Sequence, residues 1–542
     1  MKRYRSISVA VCLLAVPLVA PAQGGRQGRG VPGSQPGGQQ TGTTGNAGGR
    51  GATGALEFYT FDPAAGAGPS FTDAAPAETH QKISINGQAL AYTTRAGYLP
   101  LYNATTGQSE GRLFYTFYAK EEVTDPSTRA LVFFLGGAPG VSAAWQDLGG
   151  LGPKRMKPMS DTEAPSYGWA DNPSTLLAQA DLVFVNPIGT AFSRPERPDR
   201  GPAFWNTAAD TASLGEFVRS FINRYDRRSS RLFVAGEDLA TGRAASLANY
   251  LLEHQVPVHG VVLLSMTMNP DAQAGDTQYI TLLPSIVMTA WHHKKLGPEL
   301  NRMGSEQIAG QARQFASREY LHALYKGDRM TAEERAKVVA DLARLTGFSK
   351  GFLVSNDLRV ALERFTSELM RDQQRGLSYS DARVTGFVPT TPGGGRGGRG
   401  GFGPVPAEPI DFNLSSLSGG FLTAYEDYLR KELTFKAGNG IFYLMSGGVS
   451  GFTSTGNDSA SLSTAFARKP NLRLFVAVNY FDLNAPFYAT EHTLAHLNVS
   501  PEVRAHNITV SHLEAGQMPY LDSKAIVKLH DDLASFLAPS AR

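Results

Sequence analysis

Residues 231–243 read R-L-F-V-A-G-E-D-L-A-T-G-R. The apolar run up to Ala235 suits a buried strand, and a helical spacing follows through Ala244, Leu247, Tyr250 and Leu251. Between them lies Gly236-Glu237-Asp238-Leu239-Ala240, a tight turn flanked by small residues. A strand that enters a helix through so short a turn leaves few options. The two backbones must approach closely, and the middle residue sits on a strained turn aimed at the helix N-terminus. This is the layout of the nucleophile elbow G-x-S-x-G, with Asp238 where the serine would stand. The plainer reading is an ordinary turn with Asp238 as a helix cap.

The 542 residues leave room for one large domain with an insertion, or for two domains. Residues 1–22 carry a basic start (Lys2, Arg3, Arg5), an apolar stretch and an A-x-A site at Ala20-Pro21-Ala22. They read as a secretory signal peptide, too short for a membrane span. The one cysteine, Cys12, lies within it, so the mature chain would hold none. A periplasmic or secreted protein is expected. Removal of the three basic residues takes the formal charge from +3 to about zero, which argues against a polyanion partner, nucleic acid included. No later run is apolar enough for membrane insertion. Residues 23–78 are rich in Gly, Gln, Ala, Thr and Pro and read as a disordered linker. The Gly/Arg-rich stretch 391–404 has a similar composition. In an exported chain it reads as a solvated loop rather than an RNA-binding segment.

The body alternates strand and helix. A hairpin is expected at Asn86-Gly87, and further strands at 113–118, 131–135, 182–185, 231–235, 261–266, 441–445, 472–478 and 508–513. The helix after Asn206 shows Leu214, Phe217, Val218, Phe221, Ile222 and Tyr225 on one face. A last helix spans 523–537. Between 271 and 433 helical patterns take over, one starting from the capping box Thr331-Ala-Glu-Glu334. The reading is an α/β fold, a mostly parallel sheet with helices on both faces. Its core would be 79–270 and 434–542, with 271–433 as a helical cap insertion over the strand ends.

Several segments carry a resemblance. L-G-G-A-P-G-V-S-A-A-W-Q-D-L-G-G-L-G-P (135–153) resembles the N-G-G-P-G-S-S segment of the serine carboxypeptidase family and the L-G-x-L-G-P after it. D-L-V-F-V-N-P-I-G-T-A-F-S (181–193) is similar to that family's D-P-V-G-T-G-Y-S. N-Y-F-D-L-N-A-P-F (479–487) resembles its catalytic-acid segment, and E-A-G-Q-M-P-Y (514–520) resembles E-A-G-H-M-x-Y. The resemblance covers roughly residues 80–540 and implies the α/β-hydrolase fold with a Ser, Asp, His triad in that chain order. Carried across, the nucleophile position is Asp238, the acid is Asp482 and the base position is Gln517. The oxyanion-hole donors map to the backbone N–H groups of Ala138 and Leu239, and the substrate-binding positions to Gly136 and Glu237.

Asp238 has no hydroxyl, and the Gln517 amide cannot serve as a base. Loss of nucleophile or base in a comparable triad costs about a million-fold in turnover. The leading expectation is therefore a degenerate pseudo-peptidase with a binding or scaffold role and a peptide or small-molecule ligand. Two alternatives stay open. One is an Asp-nucleophile hydrolase working through Asp238, and the other is residual carboxypeptidase or esterase activity. Gln517 is expected to donate to Asp482, and the Asp238 carboxylate to occupy the oxyanion hole. Ser246 points away down the helix, His512 lies well back on its strand, and His292-His293 diverge too far to share a metal. Neither a cofactor nor a metal is expected.

Overall fold

In the computed structural model, alternate residues of the central strands enter two separate cores. The structure describes residues 74–85, 87–103, 108–137, 139–157, 168–268, 270–388, 411–446, 452–453 and 458–539. All of these fall within one compact unit, Ala52–Arg542. The strands are β1 (Ala77–Ile85), β2 (Gln88–Tyr102), β3 (Ser109–Lys120), β4 (Ala130–Phe134) and β5 (Ala180–Val185). After them come β6 (Arg231–Glu237), β7 (Val258–Leu264), β8 (Arg473–Asn479) and β9 (Ile508–Leu513). One sheet contains them in the order β1-β2-β3-β5-β4-β6-β7-β8-β9, with the short strand Arg194–Pro195 beside β3. Pairing is antiparallel from β1 to β5 and parallel from β5 to β9.

The principal helices are α1 (Thr207–Arg224), α2 (Ala240–Glu253), α3 (Thr277–His292), α4 (Ser305–Phe315) and α5 (Ala332–Thr346). Then follow α6 (Phe412–Asp427), α7 (Asp458–Arg468), α8 (Phe487–Ala495) and α9 (Ala525–Leu537). Leu131, Phe133, Val183, Leu232, Val234 and Val261 share a core with residues of α1, α2 and α3. Val132, Phe134, Leu182, Phe233, Ala235 and Val262 share another with α9. A parallel strand covered by helices on both sides must be apolar at every position, which is why these segments show no alternation in the sequence. Gly215 marks a close helix contact: a Cβ there would lie 2.2 Å from the Tyr250 ring. Among the described residues no helix is long and apolar enough to cross a membrane.

Three expectations change. β1 starts at Ala77, so the linker assigned to 23–78 overlaps a strand at its end. Residues 441–445 form no strand. Isolated bridges join Tyr443 to Ala191 and Met445 to Val141, while Phe442 and Leu444 are buried and Ile441 and Met445 exposed. The alternation there anchors a crossing segment to a core it does not extend. The stretch between β7 and β8 is mostly helical but includes a hairpin of Arg375–Leu377 with Thr385–Phe387. Its capping box forms as expected, with Thr331 Oγ1 accepting from the Glu334 N–H and Glu334 Oε2 from the Thr331 N–H. Residues 1–22, the linker up to 73 and the 391–404 stretch lie outside the described residues.

Under the sheet, Asp181 at the head of β5 joins three segments. Its Oδ1 accepts from Arg129 Nε at 2.9 Å and from the Lys120 N–H at 3.0 Å, and its Oδ2 accepts from Arg227 Nη1. Arg129 also donates to the carbonyls of Leu177 and Ala178. All three charged side chains are buried. Removing the carboxylate strands two buried guanidinium groups. Asp181→Ala is therefore expected to lower the unfolding free energy by about 3–5 kcal/mol in a urea titration. A loss below about 1 kcal/mol would contradict this account of the cluster.

Candidate functional site

The turn between β6 and α2 is as tight as its composition requires. A Cβ on Gly236 would lie 2.1 Å from the Ala240 carbonyl oxygen, so only glycine fits. Asp238 has φ +53°, in the left-handed region that Asp tolerates better than most residues. Its N–H donates to the Leu264 carbonyl at 3.0 Å. Its carbonyl accepts from the Thr241 N–H at 3.0 Å and from Thr241 Oγ1 at 2.6 Å. The N-cap of α2 is Leu239, and no side chain caps the helix, so Asp238 is not a helix cap. The strained elbow is present.

Three carboxyl groups meet at it. Asp482, in the turn after β8, is fully buried. Its Oδ1 accepts from the N–H groups of Asn484 at 2.9 Å and Ala485 at 3.1 Å, while Oδ2 has no hydrogen-bond partner among the described residues. Burial pushes this carboxyl up to about 7, against the Ala485 N–H and with the Asp238 charge adding to the rise. Glu237 Oε2 accepts from Tyr520 OH at 2.8 Å and Gln146 Nε2 at 3.1 Å. Burial lifts Glu237 to about 8; those two bonds oppose the shift, and the charges of Asp238 and Asp482 increase it. Asp238 is raised to about 6, again by burial, and is held back by the Leu239 N–H. The Leu239 N–H is the first of the two expected oxyanion-hole donors. The second expected donor, at Ala138, lies outside the described residues.

The expected contact between Gln517 and Asp482 does not form. Gln517 Oε1 accepts from Asn484 Nδ2 at 3.0 Å, and neither Asp482 nor Asp238 bonds to its side chain. Asn484 bridges the two positions, with its backbone N–H on Asp482 and its amide on Gln517. The cause is the amide itself. It offers an acceptor as well as donors, and Asn484 is already held where its own amide can donate to that acceptor. The Gln517 backbone is fixed by its N–H on the Ser380 carbonyl at 2.6 Å and by Ser265 Oγ on its own carbonyl at 2.7 Å.

Gly136 has φ +76°, and a Cβ there would lie 2.6 Å from the Val141 carbonyl oxygen. Its N–H and carbonyl both face the Gln146 amide, at 3.3 Å and 3.4 Å. Gln146 therefore links Gly136 to Glu237. From α2, Arg243 binds Asp210 through Nε and the Gly137 carbonyl through Nη1 at 3.1 Å, holding this loop against the elbow helix. Gln146, Tyr520, Asn484, Arg243 and Asp210 were not singled out from the sequence. The first three stand inside the segments that carried the family resemblance, which was the available signal. The Arg243–Asp210 pair left none.

The remaining candidates lie elsewhere. His512 Nε2 pairs with Glu491 Oε1 at 2.7 Å, His293 Nε2 with the Ala382 carbonyl at 2.8 Å, and Ser246 Oγ with Ser461 Oγ at 3.3 Å. His292 packs on the Phe481 ring, and burial pushes its imidazole down to about 4. Among the described residues no group of three or more His, Cys, Asp or Glu side chains is placed to hold a metal ion.

Carboxyls raised above their unfolded values of about 4 keep their protons longer in the folded chain. Between about pH 4 and pH 8 the folded state therefore binds more protons than the unfolded one, so this cluster makes stability fall as pH rises. Glu237→Gln is expected to shrink the stability difference between pH 5 and pH 8.5 in urea titrations. An unchanged difference would contradict the buried-acid assignment.

Comparison with known proteins agrees with this geometry. Residues 85–319 match the family model described as serine carboxypeptidase. That stretch includes Gly136, Glu237, Asp238 and Leu239; Asp482 and Gln517 lie beyond it and are brought to the elbow by β8 and β9. The chain is 28% identical over 178 residues to carboxypeptidase Y homolog A of Talaromyces stipitatus, covering 32% of this chain and 29% of that protein. It is 26% identical over 153 residues to carboxypeptidase Y of Schizosaccharomyces pombe, covering 27% of this chain and 14% of that one. Both matches span less than a third of the relative's own length. In fold it is similar to a prohormone-processing carboxypeptidase from Saccharomyces cerevisiae, with TM-score 0.52 and 13% identity, over 81% of this chain and 91% of that one. With this sheet order, this elbow and these matches, the chain carries the α/β-hydrolase fold, and its residues 85–319 are similar to the serine carboxypeptidase family.

Proposed function

We propose that this chain is a catalytically silent serine-carboxypeptidase relative, which keeps the fold and a ligand pocket and acts by binding. The observation that carries the reading is the pair Asp238 and Gln517. A carboxyl stands where acyl transfer needs a hydroxyl, and an amide whose oxygen is engaged by Asn484 stands where it needs a base. A route through a covalent Asp238 ester needs a base to activate water for its hydrolysis. His512 and His293 are bound to other partners, and among the described residues no imidazole hydrogen-bonds to Asp238, Asp482 or Gln517.

The occupant we expect is a peptide or a small molecule, in keeping with the carboxypeptidases this chain resembles. Export to the periplasm or the exterior through residues 1–22 is part of the same proposal. The purified chain is expected to resist labelling by a serine-reactive fluorophosphonate and to leave blocked dipeptides, esters, epoxides and haloalkanes uncleaved. Stoichiometric labelling of a pocket serine would overturn the reading. So would transfer of heavy oxygen from solvent water into the Asp238 carboxylate during turnover of an epoxide or haloalkane, the signature of an Asp-ester route.

A further inference from the structure

A cavity of about 530 Å³ opens beside Gln517, within the size range of small-ligand sites. One side is apolar: Leu417 and Met518 line it, backed by the buried Trp145 and Phe421, whose rings stack with centroids 4.2 Å apart. The other side carries charge. Arg155, Lys157 and Arg383 line it, against the two carboxylates of Asp381 and Asp522.

These charges are not equally available. Arg383 is fully engaged: it donates to both oxygens of Asp381, to Asp522 Oδ2 at 2.9 Å and to the Glu514 carbonyl at 2.8 Å. One guanidinium thus satisfies both acids of the lining. Arg155 has no such partner. Its Nε is buried without a hydrogen bond, and its guanidinium makes no ion pair among the described residues. Its neighbour Lys154 differs, being paired with Asp171 and Glu432. Lys157 is exposed at the other end of the same segment and likewise forms no ion pair among the described residues. Among the described residues, the positive charge of Arg155 and Lys157 is therefore unpaired next to the apolar side. A half-buried guanidinium with an unfilled donor is costly unless an acceptor completes it, and a carboxylate matches its forked geometry.

We propose that this cavity binds a small organic acid, a carboxylate carried on an apolar or aromatic body. Arg155 anchors the carboxylate, Lys157 adds attraction at the exposed end, and Leu417 with Met518 receives the apolar part. The proposal rests on the binding reading above and names the chemical class of its ligand.

The test is calorimetric titration of the full chain with 3-phenylpropionate and with its neutral amide. The acid is expected to bind at least about tenfold more tightly than the amide, and more weakly as salt is raised. Arg155→Met is expected to weaken acid binding about tenfold or more while leaving the amide unchanged, and Arg155→Lys to restore part of the loss. Lys157→Met, at an exposed position, is expected to give a smaller loss. Should Arg155→Met fail to fold, the acid–amide comparison on the unaltered chain and the Lys157→Met titration decide the matter. Equal binding of acid and amide, no acid binding at millimolar concentration, or inorganic phosphate binding where the acid does not would each overturn the proposal. Failure of the catalytically silent reading would look different: fluorophosphonate labelling or turnover, whatever the acid–amide ratio.

Discussion

The close approach of β6 to α2 at Gly236 is the constraint on which the site depends. With the Ala240 carbonyl where a side chain would begin, the turn can bend only one way. Asp238 is then forced into the left-handed region and held there by Leu264 and Thr241. Such strain, of order 1–3 kcal/mol, persists only where the surroundings over-determine it. Here they do so from both sides, because β6 is central in the sheet and α2 is packed in the core with α1. Arg243 then pins the loop after β4 to the same helix. The geometry that presents a nucleophile is independent of whether a nucleophile is present.

What fills that geometry is a set of buried acids. In an active triad one carboxylate orients a base, and its charge is balanced by the imidazolium that forms. Here no cation pairs with Asp482 among the described residues, and Glu237 and Asp238 add two more acids; burial pushes all three towards their neutral forms, and the Asp238 charge adds to the rise at Glu237 and Asp482. The hydrogen bonds from Tyr520 and Gln146 make Glu237 tolerable, and the N–H groups of Asn484 and Ala485 do the same for Asp482.

The elbow was legible because glycine and the strand-to-helix switch leave a pattern in adjacent residues. The order of the strands was legible for the same reason, except at residues 441–445. There the alternation of Phe442 and Leu444 reflects burial against the core near Ala191 and Val141 rather than strand pairing. The positions Asp482 and Gln517 came from motif resemblance, and β8 and β9 deliver both. Their contact was not legible. Whether Gln517 donates to Asp482 or accepts from Asn484 turns on how an amide is oriented in a crowded turn, and nothing in the order of residues encodes that. Arg243 with Asp210 joins residues of two different helices and carries no local signature.

On the proposed reading the scaffold is intact, and the side chains at positions 238 and 517 alone remove the chemistry. The unpartnered Oδ2 of Asp482 is free to accept from an imidazole at position 517, and the elbow needs no change to present a hydroxyl. The direct measurement is fluorophosphonate labelling of the double variant Asp238→Ser with Gln517→His, alongside Asp238→Ser alone. The account expects covalent labelling at position 238 in the double variant and little or none in the single one. A folded double variant that remains unlabelled would contradict it, because the pocket itself, and not only the triad, would then have been lost.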